Sequence, residues 1–171
     1  TKGDKYVGID MELAALLAEK LGKELVIQNM DFDAVCLSVG QHKCDLAIAG
    51  LTVNDERKEY VTFSDTYYQA SQRLIVPSDD KTFDDLKDAD AVAAKLGELT
   101  KEDKIGVQQG TTAQSYIEGD EDFGFEGLPA TCQPYKSGSL AVQDMLNGNI
   151  KYVIIDAAPA TAITEAINAM Q

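Results

Sequence analysis

Short unbroken apolar runs alternate with helix-forming stretches along most of this chain, and that alternation restricts the fold more than any single residue does. Tyr152-Val153-Ile154-Ile155 is such a run, as are Leu25-Val26-Ile27 and Ile105-Gly106-Val107. A strand of this composition has no polar face to turn toward water. It suits a sheet covered on both sides, which is the usual condition of parallel strands. Helices between such strands, joined by short connections, define an α/β fold with parallel-rich sheets flanked by helices.

Strands are expected over 24–28, 44–50, 104–107, 130–135 and 152–155, with an extended run over 71–77. Helices are expected over 10–21, 33–39, 83–99, 111–117, 139–146 and 160–170, with a further one opening at Asn54. In the first of these Asp10 is the expected cap, Leu13, Leu16, Leu17 and Leu21 share a face, and Gly22 is the stop. Residues 79–104 carry nine acids and five bases, which reads as a solvated surface. The series then resumes, so the chain divides into two lobes, 1–76 and 77–171, with a hinge near 75–79. No repeat in the sequence relates the two.

The most chemically specific stretch runs Cys44-Asp45-Leu46-Ala47-Ile48-Ala49-Gly50-Leu51-Thr52-Val53-Asn54-Asp55-Glu56-Arg57. An apolar strand stops at Gly50, and Asn54 is a natural N-cap for the turn that follows. Arg57 then falls at the third helical position. A helix start attracts anions, and a guanidinium fork grips a carboxylate through two parallel hydrogen bonds. Gly50 allows close approach of a ligand to the backbone, and Thr52 adds a hydroxyl. Gly110-Thr111-Thr112 repeats the pattern after the 104–107 strand. Asp156 ends the 152–155 strand, where ligands sit in open α/β sheets.

Each of these residues also has a plainer reading. Arg57 fits a surface ion pair. Asp156, Thr52, Thr111 and Thr112 fit as ordinary caps, and Phe32 fits as core packing. The acidic stretch Glu118-Gly119-Asp120-Glu121-Asp122 lacks the glycine and terminal glutamate spacing of an EF-hand, so it reads as a solvated loop.

The ordered series Asp33-Ala34, Asp45, Ala49-Gly50-Leu51-Thr52, Arg57, Val61-Thr62-Phe63-Ser64-Asp65 and Tyr67-Tyr68 resembles the amino-acid-binding proteins of bacterial ABC importers, which have the type 2 periplasmic-binding-protein fold. The resemblance extends from Tyr6-Val7-Gly8-Ile9-Asp10 to about Met170. It implies that a free polar α-amino acid is bound between two lobes and passed to a membrane permease. In this family Arg57, Thr52 and Gly50 match positions that take the ligand's carboxylate, joined by the Gly110, Thr111 and Thr112 loop. Asp156 matches the acceptor of the α-ammonium, Phe32 an aromatic against the ligand side chain, and Gln108 a position that helps select it. The resemblance further implies an extracytoplasmic protein, periplasmic or lipid-anchored at the outer face of the cell membrane. Family members carry a further strand and loop before the point where Thr1 stands, and segments beyond Gln171 that return to the first lobe.

Bulk properties narrow the alternatives. Twenty-nine acids against fifteen Lys and Arg give a net charge of −14, which argues against nucleic acid or an anionic membrane as partner. No apolar run approaches the roughly 20 residues that span a bilayer. Cys36 and Cys44 sit in apolar patterns and read as small buried hydrophobes, with a disulfide between them left open, and Cys132 stands apart. One histidine, His42, and no CxxC pair argue against a structural zinc site, and no cofactor is expected. Two rivals share the fold: a dehydratase-type enzyme, which needs a general acid over its substrate, and the ligand-sensing domain of a receptor.

Overall fold

The computed structural model describes residues 5–170. The chain divides into two compact units, Thr1–Tyr68 and Gln69–Gln171.

The first unit is built of helices and extended chain. Helix α1 spans Ile9–Leu21. It ends as its sequence requires: Gly22 turns left-handed at φ 62°, and the N–H groups of Gly22 and Lys23 bond back to the carbonyls of Glu19 and Ala18, closing the last turn. Its start differs from expectation, because Gly8 is the N-cap. Asp10 lies inside the first turn, where a carboxylate still favours the helix dipole, and its Oδ1 accepts from the Tyr67 hydroxyl at 2.9 Å. A 3₁₀ turn over Phe32–Ala34 leads into α2, Val35–Gly40. Helix α3, Asp55–Lys58, is a single turn.

The strands expected over 24–28 and 44–50 form no ladder among the described residues. Val26 is 72% exposed and Leu46 59%. An apolar run supplies the tendency to be covered, but a ladder also needs a second backbone in register, which the run itself does not supply. The leucine face of α1 likewise contains no buried residue.

The second unit realises the α/β expectation in full. Strands β1 (Gln72–Ile75), β2 (Lys104–Gln108), β3 (Thr131–Tyr135) and β4 (Tyr152–Asp156) form one sheet in the order β1-β4-β2-β3. β2 pairs in parallel with both β3 and β4, while β1 runs antiparallel along β4. The run over 71–77, which the sequence places in the first lobe, thus gives its strand to this sheet. Helices α4 (Ala89–Leu96), α5 (Thr112–Glu118), α6 (Gly138–Leu146) and α7 (Ala157–Asn168) complete the unit. The helix expected over 83–99 is shorter because Asp88 caps α4 through Ala91 N–H. Ahead of it, Asp80 takes the Thr82 N–H in a local turn that competes with helix.

The period of two along β4 sorts the core. Val153 and Ile155 pack with Ile75, Ala141, Val142 and Met145 on one face of the sheet. Tyr152 and Ile154 pack with Leu96, Ile105, Ala113 and Ile117 on the other. Each side is closed by helices, which explains why the strand needs no polar face. Parallel pairing of β2 with β4 brings their carboxyl ends together, and α5 and α7 start just beyond those ends.

Candidate functional site

In the first unit the expected binding residues gather at the turn that enters α3. The Asn54 Oδ1 accepts from the Arg57 backbone N–H at 2.8 Å, so the cap places Arg57 at the third helical position as its sequence dictates. The side chain then folds back, and Nη1 donates to the Thr52 carbonyl at 2.6 Å. The guanidinium carbon lies 5.4 Å from the centre of the Phe32 ring, a cation–π arrangement. Gly50 holds φ 60°, a left-handed conformation that favours glycine. Three expected residues, Phe32, Thr52 and Arg57, thus belong to one local cluster, and Gly50 lies two residues ahead of Thr52 in the chain. Burial lowers the Arg57 pKa from its ordinary value, opposed by Cys36 and Glu56. The group stays a cation at physiological pH.

The second unit assembles the rest at the carboxyl ends of β2 and β4. Gln108 closes β2, and its carbonyl accepts from the Thr111 hydroxyl at 2.7 Å. Thr111 is the N-cap of α5 but makes no side-chain capping bond. Gly110 has φ 75°, and its N–H donates to Gln114 Oε1 at 2.9 Å. Asp156 stands at the N-cap position of α7, again without a capping bond. The plainer reading of Asp156 as a helix cap is therefore not what its side chain does. Its Oδ1 instead accepts from Gln72 Nε2. Gln72 Nε2 also reaches Thr112 Oγ1 at 3.1 Å. Burial raises the Asp156 pKa, and the Gln72 bond pulls the other way.

Gln72 is absent from the sequence-derived set. No motif marks it; its place follows from the β1–β4 register, which sets Gln72 opposite Asp156. Arg57 and Asp156 belong to different units. All three cysteines are free: Cys36 is buried, Cys44 donates to Gln28 Oε1 at 3.2 Å, and Cys132 is half-buried. A surface recess lined by Val39, His42, Cys44, Asp45, Tyr60 and Thr62, among others, holds none of the expected site residues. Among the described residues no cluster of three or more His, Cys, Asp or Glu is placed to hold a metal. None of their helices is long and apolar enough to cross a membrane.

Comparison with known proteins identifies the family. Residues 1–168 match the model of the bacterial extracellular solute-binding proteins, family 3, and the chain belongs to that family. It is 40% identical over 103 residues to the arginine-binding extracellular protein ArtP of Bacillus subtilis, an alignment covering 59% of this chain and 40% of that protein. It is 31% identical over 156 residues to the ABC transporter arginine-binding protein 1 of Escherichia coli, covering 91% and 56%. The chain thus spans about half the length of these relatives, or less. Among solved structures, an ancestral arginine-binding protein bound to arginine superposes with a TM-score of 0.79 at 30% identity, over 97% of this chain and 67% of that one. An ancestral amino-acid-binding protein described as a precursor of cyclohexadienyl dehydratase gives 0.78 at 26% identity, over 98% and 67%.

Proposed function

We propose that this chain carries the recognition groups for a free α-amino acid that an ABC importer takes up, and that the amino acid is basic. The observation that carries the reading is Asp156. It is a half-buried carboxylate at the carboxyl end of β4 in a mostly parallel sheet, and its pKa is set by burial and an amide, with no cation among the causes. That is the environment an incoming ammonium completes. Arg57 and Thr52, with the backbone at Gly50, take the ligand carboxylate, and the Gly110, Thr111 and Thr112 loop adds to it. Phe32 and Gln108 meet the side chain. The relatives named for arginine, and one in Escherichia coli named for lysine, arginine and ornithine, support a cationic side chain.

The mechanism is binding without chemistry. A ligand touching both lobes raises the population in which they are closed on it, and the closed form is what a permease reads. The sequence puts the lobes at 1–76 and 77–171 with the hinge near 75–79. Residues 72–75 are held in the sheet of the second unit, so the flexing stretch of this proposal is the one just ahead of Gln72. Charge-assisted hydrogen bonds contribute about 1.5–3 kcal/mol each. Three or four of them, after the costs of ordering, support micromolar affinity, about −8 kcal/mol. The family's description as extracellular supports a site of action outside the cytoplasm.

Titration calorimetry of the twenty amino acids tests this reading. Saturable binding of L-arginine or L-lysine, with no heat from acidic or apolar amino acids, is the expected outcome. Absence of binding by all twenty rejects it. The dehydratase reading is tested by incubating the chain with a cyclohexadienyl amino acid and following water loss, where no turnover is expected.

A further inference from the structure

We propose that Gln72 is a positioning residue for ligand recognition, holding the Asp156 carboxylate and the Thr112 hydroxyl in one arrangement that prepares the second unit for a zwitterion. The proposal rests on Asp156 being the acceptor of the ligand's α-ammonium.

Three observations converge on this side chain. The β1–β4 register sets Gln72 directly opposite Asp156, so the two side chains stand on the same face of the sheet as a cross-strand pair. The amide nitrogen bonds both to Asp156 Oδ1 and to Thr112 Oγ1, at the first helical residue of α5. Its oxygen, Oε1, is buried with no hydrogen-bond partner among the described residues.

The orphan oxygen is informative. A buried acceptor without a partner is costly, and most native sites avoid one. Turning the amide over would let the Thr112 hydroxyl donate to Oε1, but it would set that oxygen against the Asp156 carboxylate and take the amide donor away from it. Asp156 therefore dictates the amide's orientation, and the unpaired oxygen is the consequence. An apolar side chain of similar size would fill the place without that cost, so filling space does not account for a glutamine.

The two bonds have complementary results. On Asp156, a neutral donor steadies the ionised, acceptor form without neutralising it, leaving the second oxygen for an ammonium. Thr112 receives the amide hydrogen at its oxygen, so its own O–H is left to be given to an anion. One amide thus prepares an acceptor for the positive end of an amino acid and a donor for the negative end. The influences on the Asp156 pKa are burial and this amide, with no ionised side chain among them. Arg73, the next residue on β1, gives an N–H to the Gln72 carbonyl.

Two measurements on the 171-residue chain decide the matter. The first is the pH titration of the Asp156 carboxyl carbon by NMR in the wild type, Gln72→Leu and Gln72→Glu, with circular dichroism as the check on folding. Both substitutions are expected to move the Asp156 midpoint upward, Leu by removing the donor and Glu by adding a like charge at unchanged shape. An unmoved midpoint in the folded variants overturns the proposal. The second is calorimetry with L-arginine and with 5-guanidinopentanoate, which lacks the α-ammonium. Gln72→Leu is expected to weaken L-arginine about tenfold more than it weakens the analogue, the scale of one charge-assisted hydrogen bond. Equal losses for the two ligands overturn the ammonium role. Failure of the wild type to bind any amino acid rejects the proposed function, and the titration still decides whether Gln72 governs Asp156.

Discussion

Arg57 owes its position to a backbone bond at the far end of the residue from its charge. Asn54 fixes the turn, the turn fixes the third helical position, and the Thr52 carbonyl with the Phe32 ring fixes the guanidinium. Arg57→Ala is expected to weaken L-arginine binding by about 2–5 kcal/mol, because the ligand carboxylate loses its paired cation in a partly dry site. Arg57→Lys restores little of this, since a point charge does not reproduce a planar fork. Calorimetry on both variants checks the claim, and full affinity in the alanine variant rejects it. Sequence reasoning reached Arg57 because cap, spacing and charge lie within four consecutive residues. Gln72 escaped it because its meaning depends on Asp156, eighty-four positions away.

Between strand and helix the packing leaves little slack. Gly106 lies at the centre of β2, where an added Cβ would meet Ile150 Cδ1 at 2.5 Å and Ala141 Cβ and Tyr135 Cε2 at 3.2 Å. Gly106→Ala is therefore expected to destabilise the protein by about 1–3 kcal/mol through overpacking. Ile150→Val removes the methyl in the closest contact, so the double variant should lose less than the sum of the two single losses. Urea unfolding of the four proteins reads this coupling directly. Simple additivity would mean that the clash is relieved elsewhere. The same tight fit brings Ala141 of α6 close against β2.

Across the whole chain, burial is uneven. Among the described residues of the first unit only Cys36 is buried, whereas the second unit covers both faces of its sheet. Local opening is easiest where few apolar contacts must be broken. Hydrogen exchange is thus expected to be slowest in β2 and β4, and fast over residues 24–30 and 44–53. Uniform protection would contradict this. Alkaline stability follows from three groups of the second unit. Burial and neighbouring carboxylates push the Tyr135 and Tyr152 hydroxyls and the Cys132 thiol up to about 12. The unfolded chain ionises these groups near their ordinary values of about 9–10, so it loses protons that the folded chain keeps. Stability is thus full below those values and falls as pH rises toward 12. Tyr152→Phe removes one of the groups and the bond to Asp80. It is expected to cost about 0.5–1.5 kcal/mol at neutral pH and to flatten the alkaline fall, both read from denaturant midpoints between pH 7 and 11.

The sequence by itself determined the α/β class, the strands and helices of the second unit to within a few residues apart from the start of α4, and the cap that seats Arg57. Each of these is written in neighbouring residues as a period, a cap or a stop. It also named Asp156 correctly as the end of its strand. Tertiary structure alone decided that 72–75 joins the second sheet, that the apolar runs of the first unit stay outside any ladder among the described residues, and that Gln72 rather than α7 engages Asp156. Those outcomes depend on which distant backbone lies alongside, and a hydrogen bond across a sheet leaves no mark in the local sequence of either partner.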